Sequence, residues 1–386
     1  MTEIPAAEFE SRAAKLRVAM EKEGFDGVVA YSTAKIQANV RWLSNYYVRF
    51  AGWQHVEKND YVMFGSAACV VPLNDEPLVR SDLPWDSGRI SLSSFYPNVG
   101  CTTQLGVELG KEINALGLKR VAIDNWLLFP AEYYFGLTRE APNTEFVPSR
   151  IISECRRVKS PLEISFHRKA EEIADAAVQA GMAAVEPGAD EYEIALIVED
   201  TMRRLGDFET GGSSQAGSGV ATASGLPEPT RGKKVQRGEW YFFDPLPRYN
   251  GYCGDIARMR LAGDLDDLDP KLKHYYDVTL QMNREAIKAI RPGVTPKQLN
   301  DIADEVAREG GVYEYKFRLL GHAVGIDIHD IPDYWADESP LQVGEVITIE
   351  PCLAIPGVAA TRIEDMLVVT ESGSECLSQT PRGLVP

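Results

Sequence analysis

Apolar residues recur at helical spacing through residues 8–22 (EFESRAAKLRVAMEK). The run GFDGVVAYS at 24–32 then reads as a turn entering a buried strand. YVMFGSAACVVPL (61–73) and RVAIDNW (120–126) are further strand patterns, with a helical one, VELGKEINALGL (107–118), between them. This alternation predicts an α/β domain over residues 1–155 with its own core. The pattern changes at SECRRVKSPLEI (153–164), where basic residues and a proline precede the long helical stretch EISFHRKAEEIADAAVQAGMAAV. A second domain therefore spans 156–386. Its first helix has Ser160 as N-cap, Pro161 at the first helical position and Glu163 at the third.

The second domain repeats itself. AVEPGADEYEIALIVEDTMRRLG (184–206) aligns with AIRPGVTPKQLNDIADEVAREGG (289–311) at a constant offset of 105. Each copy is a helix end, a Pro-Gly turn and a second amphipathic helix. EWYFFD and CGDIAR follow the first copy; VITIEP and TRIEDMLVV follow the second. Asp244 thus answers Glu350, and Asp255 answers Glu364. Two related halves each end in a strand with an acid, a loop, and another segment with an acid.

Charge is costly to bury, so these acids call for an explanation. With Asn250-Gly251 as a two-residue turn, Asp255 falls opposite Leu246, on the face of Asp244. Pro245 and Pro247 interrupt that ladder, so a bulge or longer loop is expected. The segment GHAVGIDIHD (321–330) adds His322 and, seven residues on, His329. Carboxylates with one imidazole form a ligand set suited to two divalent ions such as Mn²⁺, Co²⁺, Fe²⁺ or Zn²⁺. Each acid alone has a plainer reading: Asp244 as a turn acid, Asp255 as partner to Arg258, Glu364 as partner to Arg362.

Composition narrows the class. The chain has 386 residues, 57 acids against 40 bases and a formal net charge of −17. That charge argues against nucleic-acid binding, which needs clustered Lys and Arg. No apolar run approaches a membrane span, and the start shows no secretory signal. The six cysteines are scattered without a C-x-x-C pair, which points to a reduced, cytoplasmic protein.

At these residues the chain resembles the pita-bread metallohydrolases, in particular the two-domain branch of Xaa-Pro peptidases (aminopeptidase P, prolidase) and creatinase. The resemblance covers essentially the whole chain, most specifically 156–378. It rests on Asp244, Asp255 eleven later, His322 and His329 in GH-x-x-G with a second His, Glu350 before Pro351, and Glu364 in Arg362-Ile363-Glu364-Asp365. It implies a creatinase-like α/β N-terminal domain and an α+β C-terminal domain, a pseudo-twofold curved antiparallel sheet with helices. Asp244, Asp255, His322, Glu350 and Glu364 would hold two divalent ions, Mn²⁺ first, with Asp255 and Glu364 bridging. Glu350 would also carry a proton, and His329 would bind substrate or the developing oxyanion. A homodimer is implied, in which Arg49 of NYYVRFAGW reaches a partner's site.

The departures fall in the substrate shell. Glu228 in GLPEPTRGKK stands where the branch carries a histidine, Arg318 stands four before the ligand His322, and Pro245 follows Asp244. Arg318, Glu228, Arg362 and Arg49 are the candidate substrate-binding residues. The expected reaction is metal-dependent hydrolysis of an amide-type C–N bond in a dipeptide or small amino-acid derivative. An ordinary Xaa-Pro dipeptidase or aminopeptidase, and a lyase on the same metal frame, are the alternatives.

Overall fold

The computed structural model describes residues 4–50, 53–57, 60–333 and 337–385. The chain divides between Arg156 and Arg157 into two compact units.

In the N-terminal unit, α1 (Ala6–Glu23) leads into β1 (Gly27–Thr33) and α2 (Ala38–Ser44). A hairpin of β2 (Trp53–Glu57) and β3 (Asp60–Phe64) precedes β4 (Ser66–Pro72) and β5 (Leu78–Ser81). Then come α3 (Ser87–Ser93), β6 (Val99–Cys101), α4 (Leu105–Ala115), β7 (Arg120–Asp124), α5 (Ala131–Glu140), β8 (Glu145–Ser149) and α6 (Ile151–Arg157). Six strands form one mixed sheet in the order β6-β5-β4-β1-β7-β8. Val29, Tyr31, Val70, Val121 and Ile123 of the sheet pack on Leu105, Leu109 and Leu137 of α4 and α5. The single strand expected over 61–73 is two, β3 and β4, because Gly65 at φ 115° turns the chain where an L side chain would be strained.

The C-terminal unit is built twice. Its first half holds α7 (Pro161–Ala183), α8 (Glu191–Leu205), β9 (Gln215–Ser218), β10 (Trp240–Asp244), the hairpin β11 (Arg248–Tyr249) and β12 (Tyr252–Cys253), and β13 (Arg258–Leu261). The second holds α9 (Pro270–Ala289), α10 (Pro296–Glu309), β14 (His322–Ala323), β15 (Asp330–Asp333), β16 (Val346–Ile349), the hairpin β17 (Cys352–Ile355) and β18 (Ala359–Arg362), β19 (Asp365–Val369) and β20 (Ser374–Cys376). The three-stranded sheet β13-β10-β9 matches the middle of the five-stranded sheet β15-β14-β16-β19-β20. In each half a helix pair covers the sheet and makes its own core. Val178, Ile194, Val198 and Met202 pack on Tyr241 and Phe243; Met282, Leu299, Ala303 and Val306 pack on Ile347 and Ile349. Trp240 and Phe242, on the other face of β10, join Tyr276, Ala359 and Ile363 of the second half.

Local chemistry sets the repeat. Ser160 accepts the Glu163 N–H while Glu163 accepts the Ser160 N–H, a full capping box with Pro161 in the first turn. Asp190 and Thr295, 105 residues apart, cap α8 and α10. The preceding Gly188 and Gly293 both sit at φ 91°. A Cβ at either would meet no other atom, so only backbone strain opposes alanine there. Gly188→Ala and Gly293→Ala are each expected to destabilise the protein by about 1–2 kcal/mol, and equally. Urea unfolding midpoints measure this; unequal shifts would show that the two turns are not equivalent.

Candidate metal centre

The repeat delivers four acids to one place. Asp244 is the last residue of β10 and Glu350 the first after β16; Asp255 and Glu364 lie two residues beyond β12 and β18. Asn250 (φ 51°) and Gly251 (φ 87°) form the expected two-residue turn, with Tyr249 opposite Tyr252 and Arg248 opposite Cys253. The register continues to Pro247, whose carbonyl accepts the Gly254 N–H at 3.0 Å, and stops there. Asp244 instead pairs with Gln215 of β9 in its own sheet. Beyond the ladder, the Asp255 N–H donates to Glu171 Oε2 at 2.9 Å. The Glu364 N–H donates to the Ala257 carbonyl at 3.0 Å, and the Glu350 N–H to that of Leu320 at 2.7 Å.

Asp255, His322 and Glu364 are all buried, and each offers a ligand atom within 4.8 Å of the others. His322 Nε2 lies 3.5 Å from Asp255 Oδ2 and 3.3 Å from Glu350 Oε1. His322 Nδ1 is 3.0 Å from the Ala323 carbonyl, which can only accept, so Nδ1 carries the proton. That leaves the Nε2 lone pair facing the acids, the orientation a metal-ligating histidine needs. Asp244 stands beside this cluster, its Oδ2 2.8 Å from Arg362 Nη1. The same nitrogen is 3.6 Å from Glu350 Oε2, and Arg362 Nη2 donates to the Gly225 carbonyl at 3.1 Å.

Burial pushes the Asp244 carboxyl up to about 6, with Arg362 opposing and Glu350 adding to the rise. Asp255 is raised by burial and then by Asp244, Glu350 and Glu171. Glu364 is raised by burial and then by Asp255, Glu350 and Asp244. Burial also raises Glu350, against the charges of Arg362 and His329. One guanidinium does not balance four carboxylates. Glu364 Oε1 is buried with no hydrogen-bond partner. An orphaned carboxyl oxygen among mutually repelling acids, with an imidazole lone pair aimed at them, fits divalent cations.

The plainer pairings do not form. Arg258 binds Asp365 at 2.8 Å rather than Asp255, and the ion-pair partners of Arg362 are Asp244 and Glu350 rather than Glu364. His329 is exposed and stacks on His322, ring centroids 3.8 Å apart. Arg318 is exposed and lines a cavity of about 480 Å³ with Asn300, Asp304, Lys316 and Phe317. The Phe317 ring lies against Gly225, whose carbonyl holds Arg362. Glu228 is exposed next to Pro227, whose carbonyl accepts the Ala216 N–H of β9. Arg49 is exposed in the N-terminal unit, where its charge acts on Asp86.

Sequence reasoning missed the support behind the acids. Glu163, His167, Glu171 and Asp175 recur every fourth residue along α7, and all four are buried. His167 Nδ1 donates to the Cys253 carbonyl at 2.8 Å. The four-residue spacing was the available signal.

The duplicated sheet with its paired acids defines the class: this is a pita-bread metallohydrolase fold. Residues 165–371 match metallopeptidase family M24, and the chain belongs to that family and is a hydrolase. It is similar to the Xaa-Pro dipeptidase of Pyrococcus horikoshii, with 34% identity over 70% of this chain and 76% of that one. The prolidase structure from the same organism aligns with a TM-score of 0.80 and 27% identity, covering 97% of this chain and 99% of that chain. A Xaa-Pro dipeptidase structure from Bacillus anthracis, 23% identical, shares the fold with a TM-score of 0.83 over 98% of this chain and 99% of that chain.

His167 generates a pH signature. Burial, then the Lys159 charge, pushes it from the ordinary 6.5 down to about 4. The unfolded chain takes up this proton near pH 6.5 and the folded one only near 4. The stability contributed by neutral His167 is therefore complete above 6.5 and lost as pH falls from 6.5 toward 4. Wild type is expected to lose up to about 3 kcal/mol relative to His167→Gln across that window. Denaturant unfolding at stepped pH checks it; parallel curves for the two proteins would contradict it.

Proposed function

We propose that this chain is a metal-dependent dipeptidase with a dinuclear centre, and that Xaa-Pro dipeptides are its first substrate class. The observation that carries the reading is the buried cluster of Asp255, His322 and Glu364, with Glu350 against His322, Asp244 joined through Arg362, and one Glu364 oxygen without a hydrogen bond. Dipeptidase names among the similar proteins support the same substrate class. These five residues hold two divalent ions, Mn²⁺ first, with Co²⁺, Fe²⁺ or Zn²⁺ as the other candidates. When bound there, such ions would supply the positive charge that polarises a scissile carbonyl and lowers the pKa of water.

The chain's own residues do the rest. Arg362 keeps Asp244 ionised and fixes its rotamer through the 2.8 Å pair. The Glu350 carboxylate accepts the proton of the attacking water and returns it to the leaving amine nitrogen. His329, exposed over His322, donates to the carbonyl oxygen as charge develops on it. Arg318, on the wall of the neighbouring cavity, binds the substrate carboxylate, and Glu228 the amino end. The C-terminal domain, 156–386, is catalytic, and residues 1–155 are a creatinase-like domain that reaches, through Arg49, a second copy in a cytoplasmic homodimer. No observation favours the lyase outcome.

Chelation should abolish turnover of an Xaa-Pro dipeptide, and added Mn²⁺ should restore it. Asp255→Ala should lower kcat/KM by at least about 100-fold, a ligand counting for more than the supporting residues that cost 10–100-fold. Assay and metal analysis check both; full activity after metal removal would refute the reading. Arg318→Met should raise KM about tenfold or more with kcat little changed, since it removes a charge-assisted bond present throughout the reaction. Steady-state kinetics with a dipeptide and its C-terminal amide measure this. An unchanged preference for the free carboxylate would exclude Arg318 from substrate binding.

A further inference from the structure

The four-residue ladder on α7 grips two other parts of the chain. Glu163 Oε1 accepts the Tyr252 hydroxyl at 2.8 Å and His167 Nδ1 donates to the Cys253 carbonyl. Glu171 Oε2 accepts the Asp255 N–H. Asp175 accepts the N–H groups of Gln379 at 2.8 Å and Thr380 at 2.6 Å. The helix and the acid-bearing loop also touch backbone to backbone. A Cβ on Gly254 would stand 2.5 Å from the Ala170 carbonyl oxygen.

Glu171 is the member that spans both halves. Its Oε1 accepts the Ser378 hydroxyl. Ser378 Oγ in turn accepts the Met366 N–H at 2.9 Å, two residues beyond Glu364. One buried carboxylate thus connects the backbone at Asp255 with the strand that begins immediately after Glu364. It does so where the β11–β12 ladder has ended and the Asp255 N–H would otherwise be buried unpaired.

We propose that Glu171 is a positioning residue for the metal centre, setting the placement of Asp255 relative to Glu364 across the two halves. Burying a carboxylate away from the ions is costly. An acid that accepts from both half-domains at once offsets that cost by holding a ligand pair to the sub-ångström tolerance a site needs. Glu171 touches neither substrate nor the reacting atoms and acts through the Asp255 backbone. The inference rests on the dinuclear reading above.

The test is calorimetric titration of Mn²⁺ into metal-free wild type, Glu171→Ala, Glu171→Gln and Ser378→Ala, with circular dichroism to establish folding. Glu171→Ala should bind Mn²⁺ about 10–100-fold more weakly, the range for a lost supporting partner. Glu171→Gln keeps an acceptor for the Asp255 N–H and an N–H for Ser378 Oγ, and should recover most of the affinity. Ser378→Ala should fall between them. A purely structural Glu171 would lower the melting temperature of the alanine variant and leave its Mn²⁺ affinity unchanged; that result overturns the proposal, as does a glutamine variant as weak as alanine. Should Glu171→Ala not fold, wild-type affinity in Ser378→Ala overturns it equally. Absence of Mn²⁺ binding by wild type itself would bring down the dinuclear reading and this inference with it. Normal wild-type binding with no effect in the variants would remove this inference alone.

Discussion

Electrostatic repulsion among four buried carboxylates is the constraint on which the C-terminal unit depends. Asp244, Asp255, Glu350 and Glu364 are at most 8% exposed, and the cation paired directly with any of them among the described residues is Arg362. Burying charge without a partner costs several kcal/mol per ion. The arrangement is stable as an ionised set only with further positive charge between the acids. The details around it follow that requirement. Nδ1 of His322 is occupied by a carbonyl so that Nε2 faces inward, and one Glu364 oxygen is left without a hydrogen bond.

Duplication is the means by which the chain brings these groups together. Each half contributes one acid at a strand end and one past a hairpin, so an approximate twofold places four acids from two copies of one simple plan. The helix pairs bury an apolar face against their own sheet, and the second face of β10 joins the halves through Trp240 and Phe242. Apolar residues therefore carry the architecture, and the polar groups are free to be specialised. The substrate-shell candidates Arg318 and Glu228 are exposed, outside that rigid frame, where change is tolerated without loss of the fold.

Much of this was legible from residue order alone, for identifiable reasons. Pro-Gly turns, the Ser160–Glu163 capping box and the Asn250-Gly251 turn are decided by contacts within a few residues, so sequence spacing reveals them. The acids could be paired because the repeat frame numbers them. Partnerships set by packing were not legible. Arg362 is two residues from Glu364 but pairs with Asp244, 118 positions away. The four-residue spacing of Glu163, His167, Glu171 and Asp175 marks a shared helix face, but nothing local says that the β11–β12 hairpin and residues 378–380 will cover it. Gly65 likewise looks like one residue of a continuous apolar run until its positive φ divides the strand.

The dinuclear centre is open to direct test by anomalous X-ray diffraction from crystals grown with Mn²⁺. Two manganese peaks are expected, enclosed by the carboxylates of Asp244, Asp255, Glu350 and Glu364 with His322 Nε2 on one of them. A map without anomalous density at that position, the same side chains remaining hydrogen-bonded to one another or to water, would contradict it.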